Sequence, residues 1–223
     1  MNEPLSAALE RFNRKERNLL VQAILGHKER KLQLSDAFRN VVATQLGLAT
    51  VPQGAWWATD YHLSWLAGAL AVLEKGEAAI DRTLPPWSNP KQGTKIEGNV
   101  TQLVEGNQED VDLVIATGLE LIMVEAKGFG SFDSCQIQSK LDRIEMLRQF
   151  YTVSIKPQRN IVRFHFIFVS PKKPPDFPWP RWALNKSGAI PWICLELGKR
   201  LTVERCDSQH NRDADGCHWH VRR

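Results

Sequence analysis

The segment from Gln108 to Arg143, QEDVDLVIATGLELIMVEAKGFGSFDSCQIQSKLDR, constrains the fold more than any other part of the chain. Two apolar runs, Val111–Ile115 and Leu119–Val124, flank Gly118. Each is strand-length, rich in Val, Ile and Leu, and bounded by polar or glycine punctuation. The pattern predicts an antiparallel hairpin. With Gly118-Leu119 as a two-residue, Gly-first turn, whose twist suits a hairpin, Asp112 faces Glu125. Side chains alternate along a strand, so Glu125 and Lys127 share a face and Ala126 lies on the other. Two carboxylates and a lysine therefore converge at the end of a hydrophobic hairpin, where charge without a use is costly. A solvated cross-strand ion pair is the plainer account of the same residues. Against it, the charges interrupt strands that otherwise read as buried on both faces.

The residues before the hairpin read as helical. Leu5–Leu25 carries an approximate helical stripe through Leu9, Phe12, Leu19, Leu20, Ala23 and Ile24, with Gly26 as its stop. Its basic residues read as a solvated face, with a phosphate-contacting patch as the sharper alternative. Within them, Asn13-Arg14-Lys15-Glu16 is the segment that merits inspection for a site role. Ser35 is a good N-cap for a second helix with Phe38, Val41, Val42 and Leu46 on one stripe and Gly47 at its end. After a loop over 48–55, a third helix is expected from Thr59 to Glu74, capped by Thr59 or Asp60. His62 on that apolar helix reads as a hydrogen-bonded structural histidine rather than a catalytic one.

Residues 84–94, LPPWSNPKQGT, read as a linker loop. They divide a helical N-terminal region, residues 1–83, from a sheet-bearing core with a closing hairpin, residues 95–223. Ile96–Val104 is expected as a first strand and Gly106-Asn107 as a turn. After the central hairpin, Gly128-Phe129-Gly130 lets the backbone leave the sheet sharply, with Phe129 and Phe132 packing the crossover. Ser134–Phe150 follows as a helix and Asn160–Val169, NIVRFHFIFV, as the clearest strand. A helix between two strands argues for a crossover and a parallel pairing. SPKKPPDFPWP then reads as a stiff surface excursion, with a substrate-contacting flap as its alternative. Ile190–Leu197 is a further strand, and Arg200–Cys206 pairs with Cys217–Arg222. The class is thus α/β (α+β), a mixed β-sheet core flanked by helices.

At 223 residues with 43% hydrophobic content, the chain is long enough for a core of its own. A net charge of +4 is compatible with nucleic acid without pointing to it. No run approaches membrane-spanning length and no apolar signal segment opens the chain. Its four cysteines form no CxxC, so reduced thiols and a cytoplasmic location are expected. Cys206, His210, Cys217, His218 and His220 are types that zinc accepts, but their spacing matches no finger or knuckle. The simpler expectation sets Cys206 and Cys217 on paired strands as small apolar residues, with His218 and His220 on the opposite face.

VDLVI followed by LIMVEAKG resembles the PD-(D/E)XK, or restriction-endonuclease-like, nuclease superfamily. Asp112 matches its first acidic position, Glu125 the second and Lys127 the lysine; Val111 stands where the family's proline would be. Gln136 and Lys140, one helical turn apart, match the polar positions on the following helix. In order, FNRKER, DYHLSWL, EDVDLVI and VEAKG also resemble a group of bacterial proteins with a helical N-terminal half. The superfamily resemblance implies a restriction-endonuclease-like fold and a metal-dependent nuclease acting on phosphodiester bonds, with DNA favoured over RNA by analogy alone. It implies Mg²⁺ or Mn²⁺ held by Asp112, Glu125 and the Ala126 carbonyl, with Lys127 orienting water and Gln136 and Lys140 steadying water or phosphate. It also implies a further glutamate from an upstream helix, for which Glu16, Glu74 and Glu77 are candidates. A catalytically inactive nucleic-acid or protein-binding module is the alternative from another class, and a homodimer is compatible with either.

Overall fold

Where local signals are strong, the backbone follows them. In this computed structural model, residues 4–27, 31–81, 91–96, 99–104, 109–128, 132–155, 157, 161–196, 198 and 201–222 are described, with backbone alone for 91–96, 99–102 and 154. The N-terminal stripe forms two helices, α1 (Leu5–Glu10) and α2 (Glu16–Ile24), rather than one. The amides of Phe12 and Asn13 turn back to the carbonyls of Leu9 and Glu10, which ends the first helix. Leu5, Ala8 and Leu9 are buried, but Leu19, Leu20 and Ile24 of α2 are exposed. What holds α2 is polar: Asn18, buried, accepts a hydrogen bond from Thr59 N at 3.0 Å. Helix α3 (Asp36–Leu46) is capped as expected, with Ser35 Oγ accepting from Phe38 N and Gly47 at φ +64°.

The expected third helix is corrected at its start. Trp56–His62 is a strand, β1, and only Leu63–Lys75 is helical, as α4. Neither Thr59 nor Asp60 caps it; His62 is the residue before its first turn. β1 pairs antiparallel with β4 (Asp110–Thr117), from Trp56↔Ala116 to His62↔Asp110. Pairing with a partner far along the chain outweighs the segment's helical pattern. Residues 1–83 are therefore not wholly helical, since β1 is part of the main sheet. Residues 84–90 of the expected linker and the Gly106-Asn107 turn lie outside the described residues. Lys91–Ile96 and Asn99–Gln102 are β2 and β3, a separate antiparallel pair, so the strand expected over Ile96–Val104 is shorter and outside the main sheet.

The central hairpin joins β4 to β5 (Glu120–Ala126). Its register runs from Thr117↔Glu120 to Leu113↔Val124, with Gly118 at φ +56°, as the turn predicts. Helix α5 (Ser134–Gln149) and a π-helical turn over Phe150–Ile155 lead to β6 (Arg163–Ser170), which lies parallel to β5 from Glu120↔Arg163 to Ala126↔Val169. A short β7 (Trp192–Cys194) adds in parallel, giving the order β1-β4-β5-β6-β7 in a five-stranded mixed sheet. β8 (Thr202–Cys206) and β9 (His218–Arg222) form the closing hairpin as a sheet of their own.

Both faces of the main sheet are covered. Val114, Leu121, Met123, Phe166 and Phe168 pack with residues of α1, α4 and α5. Ile115, Ile122, Val124, Ile167 and Val169 pack with Val42 and Leu46 of α3. This alternation explains why the strands read as apolar on both sides. Phe177 and Trp179 of the proline-rich loop turn back onto the first cluster, so that excursion is anchored at its aromatic end. No helix among the described residues is long and apolar enough to cross a membrane.

Candidate active site

Alternation carries the face of Val114 and Ala116 on to Asp112 and Asp110, and that of Leu121 and Met123 on to Glu125. The charged residues thus point to the side covered by α5, beyond the last apolar contacts. A cavity of about 480 Å³ opens there, between the hairpin end and the first turns of α5. Asp112, Glu125, Ala126, Lys127, Gln136 and Lys140 all line it. Glu109, Asp110 and Asp133 line it too, and Phe166 and Phe168 form its apolar floor. The structure therefore brings together all six residues singled out from sequence. Glu16, Glu74 and Glu77 do not line it; Glu77 pairs instead with Arg11 at 3.0 Å on the surface.

Each residue is positioned by a named contact. Asp112 Oδ2 accepts the Ala126 amide at 2.7 Å, which ties the two strands where their ladder ends. Glu125 Oε2 accepts from Lys140 Nζ at 2.5 Å; both side chains are mostly buried. Lys127 is anchored by its backbone, donating to the Val169 carbonyl at 2.9 Å. Its ammonium makes no ion pair among the described residues. Helix α5 is fixed at its start by Asp133, whose Oδ1 accepts from the Cys135 and Gln136 amides at 2.7 and 3.2 Å. Phe132 packs edge-on against Phe168 at 4.7 Å between ring centres, as expected of the crossover, while Phe129 lies outside the described residues. Replacing Asp133 by alanine is expected to lower unfolding free energy by about 1 kcal/mol, the usual worth of an N-cap. Urea denaturation checks this, with Ser134→Ala, whose side chain makes no hydrogen bond among the described residues, as its control.

Around this centre lies a second row that the sequence patterns left unassigned. Asp110 is flanked by His62, whose Nδ1 it contacts directly, and by Lys15, whose Nζ stands 2.7 Å from Oδ2. His62 is the hydrogen-bonded histidine expected, but it closes a strand beside the cavity rather than riding an apolar helix face. Glu109 pairs with the buried Arg143 at 3.0 Å. The run Glu109-Asp110 just before Val111 was the available signal. What it lacked was any local indication that Lys15 and Arg143, far along the chain, would answer it.

The electrostatics centre on Glu125. Burial raises its carboxyl, Lys140 opposes the rise, and the nearby carboxylates of Asp112 and Glu109 add to it. The net position is about 7, well above the ordinary carboxylate value of 4.5. Asp112 has only an amide donor and no cationic partner among the described residues. Two converging carboxylates, one short of positive charge and one held up by burial, make a hard-oxygen donor set suited to Mg²⁺ or Mn²⁺. No family model, no curated protein and no solved structure matches the chain.

Proposed function

We propose that this chain is a divalent-metal-dependent nuclease of the restriction-endonuclease-like type, acting on DNA. One observation carries the reading: Asp112, Glu125, Lys127, Gln136 and Lys140 share one cavity at the end of the register-matched hairpin. The strand and helix order agrees with the resemblance. An antiparallel run β1-β4-β5, a crossing helix α5 and a parallel β6 give the active-site strands helices on both faces.

The physical problem in phosphodiester hydrolysis is charge. A nucleophile approaches an anion, and the transition state gathers further charge on its oxygens. The carboxylates of Asp112 and Glu125 and the carbonyl of Ala126 would hold Mg²⁺ or Mn²⁺, which when bound would supply Lewis-acid stabilisation of the phosphoryl charge. Lys127, on the same strand end as Glu125, orients the attacking water and meets the developing charge as a preorganised cation. Gln136, exposed on the first turn of α5, makes no side-chain hydrogen bond among the described residues, and its amide can hydrogen-bond a phosphate oxygen or water. Lys140 holds the Glu125 carboxylate at the edge of the cavity and limits its repulsion with Asp112. Binding to the backbone of DNA would rest on Lys and Arg contacts and weaken steeply with salt.

The test is cleavage of linear, circular, single-stranded and branched DNA, and of RNA, with Mg²⁺ or Mn²⁺ and with EDTA. Cutting that needs the metal and disappears in Asp112→Asn is the expected result, and the panel names the substrate. The Lys140–Glu125 ion pair is the observation that favours a non-cleaving binding module. Retention of nucleic acid with no metal-dependent cutting in wild type would establish that module and end the nuclease reading.

A further inference from the structure

The closing hairpin gathers metal-ligating side chains that the cavity does not use. Its register pairs Cys206 with His218 and Glu204 with His220, so Cys206, His218 and His220 lie on one face of the hairpin. This corrects the expectation that the histidines oppose Cys206. The loop between the strands then brings in His210. Asp207 accepts the amides of Gln209 and Asn211 at 2.8 and 2.9 Å, and His210 adopts φ +65°. Its ring turns back to stack on His220, with 6.1 Å between ring centres and 22° between planes. Ligand atoms of Cys206, His210 and His220 all lie within 4.8 Å of one another.

We propose that Cys206, His210 and His220 bind a zinc ion that staples this hairpin. Zinc bonds of roughly 2.0–2.3 Å in a tetrahedral site put neighbouring ligand atoms a little under 4 Å apart. The three groups are therefore within a small side-chain adjustment of that geometry. Two further observations point to a ligand. Cys206 is fully buried yet belongs to neither hydrophobic cluster. His220 Nε2 is buried with no hydrogen-bond partner among the described residues, and Glu204 Oε2 stands 3.7 Å away. A buried nitrogen without a partner is uncommon, and a metal satisfies it.

The hairpin also needs a staple. β8 and β9 are five residues each and form a two-stranded sheet apart from the main one, with one added bridge from Cys206 to Arg212 of their own loop. The opposite face carries Val203, Trp219 and Val221 at 69%, 68% and 54% exposure, so no apolar packing covers it. A lone two-stranded hairpin is marginal in water, and metals are among the means by which small elements persist. The loop returns directly over Cys206: a Cβ on Gly216 would sit 2.2 Å from the Cys206 carbonyl oxygen. Soft thiolate with imidazole favours zinc over the hard cation suited to the carboxylate cavity. Binding takes the Cys206 thiol as thiolate and releases its proton to solvent. The fourth position falls to water or to Cys217, exposed and three residues before His220.

The experiment uses the full chain, stripped of metal and titrated with Zn²⁺ and, separately, Co²⁺. One ion per chain and a thiolate-to-cobalt charge-transfer band are expected. His210→Ala and His220→Ala should each weaken binding by more than the roughly 10–100-fold that loss of a mere second-shell contact causes. Cys206→Ser should abolish the charge-transfer band; because Cys206 is buried, the exposed His210 variant carries the test if that protein does not fold. Asp112→Asn and Glu125→Gln should keep their zinc. No Zn²⁺ uptake by the stripped wild type, or uptake unchanged in the His210→Ala/His220→Ala double variant, overturns the proposal, and neither result bears on the nuclease reading.

Discussion

Lys127→Ala is expected to lower turnover by roughly 10²–10³-fold, the usual loss when one preorganised charge-stabilising donor is removed, while leaving stability within about 0.5 kcal/mol of wild type. Lys127 is anchored through its backbone amide, and its ammonium makes no ion pair among the described residues. Its removal should therefore touch the transition state and little else. KM should stay within a few-fold, because an interaction made mainly in the transition state lowers kcat and kcat/KM together. Lys140→Ala provides the contrast. That ammonium already pairs with Glu125 at 2.5 Å, so its loss leaves a mostly buried carboxylate without its cation and should reduce stability as well as rate. Steady-state cleavage beside urea denaturation of both variants separates the two roles. Activity of Lys127→Ala within about threefold of wild type would remove the lysine from the mechanism.

That contrast depends on which contacts are local, and so does what could be read before the fold was known. The hairpin was legible because one glycine turn fixes the register of every residue after it. Asp112, Glu125 and Lys127 then fall on one face by alternation alone. The α3 caps were legible for the same reason: Ser35 and Gly47 act within one turn. Helical spacing puts Gln136 and Lys140 on one face; the resemblance made them site candidates, and the cavity contains both.

What escaped were the long-range partners. The second half of β1, from Thr59, was assigned to a helix because Tyr61 continues the stripe of the residues after it, and only pairing with β4, far along the chain, makes it a strand. The same pairing puts His62 beside Asp110, and the break between α1 and α2 delivers Lys15 to it. No pattern near Asp110 announces either partner. His210 stood among the zinc-accepting residues of the sequence, but its placement was hidden. Spacing does not reveal a residue at φ +65°, and that conformation is what brings its ring onto His220. Long-range charge pairing and left-handed backbone are therefore where the sequence reading stopped.

Glu125 offers the sharpest test of the cavity in the absence of substrate. Its carboxyl lies at about 7 in the folded chain against an ordinary 4.5. Between those values the folded protein keeps a proton that the unfolded chain has lost. Stability is therefore fully present below pH 4.5 and falls as pH rises through 7. The shift corresponds to about 3 kcal/mol once the window is crossed, at 1.36 kcal/mol per unit. In EDTA, wild type should lose this much more stability between pH 4.5 and pH 8 than Glu125→Gln, which has no proton to lose there. At pH 8 the glutamine protein should be the more stable of the two, less whatever the unpaired Lys140 gives back. Adding Mg²⁺ at pH 8 should then close most of that gap. A cation that binds only the folded wild type stabilises it by about 2.7 kcal/mol at a hundred times its Kd, and the variant, lacking a ligand, should respond little. Urea unfolding of both proteins across that pH range, with and without Mg²⁺, reads all of these effects. Parallel pH profiles in EDTA would mean that Glu125 is not held up by its surroundings. Equal Mg²⁺ stabilisation of both proteins would mean that its carboxylate is not where the metal binds.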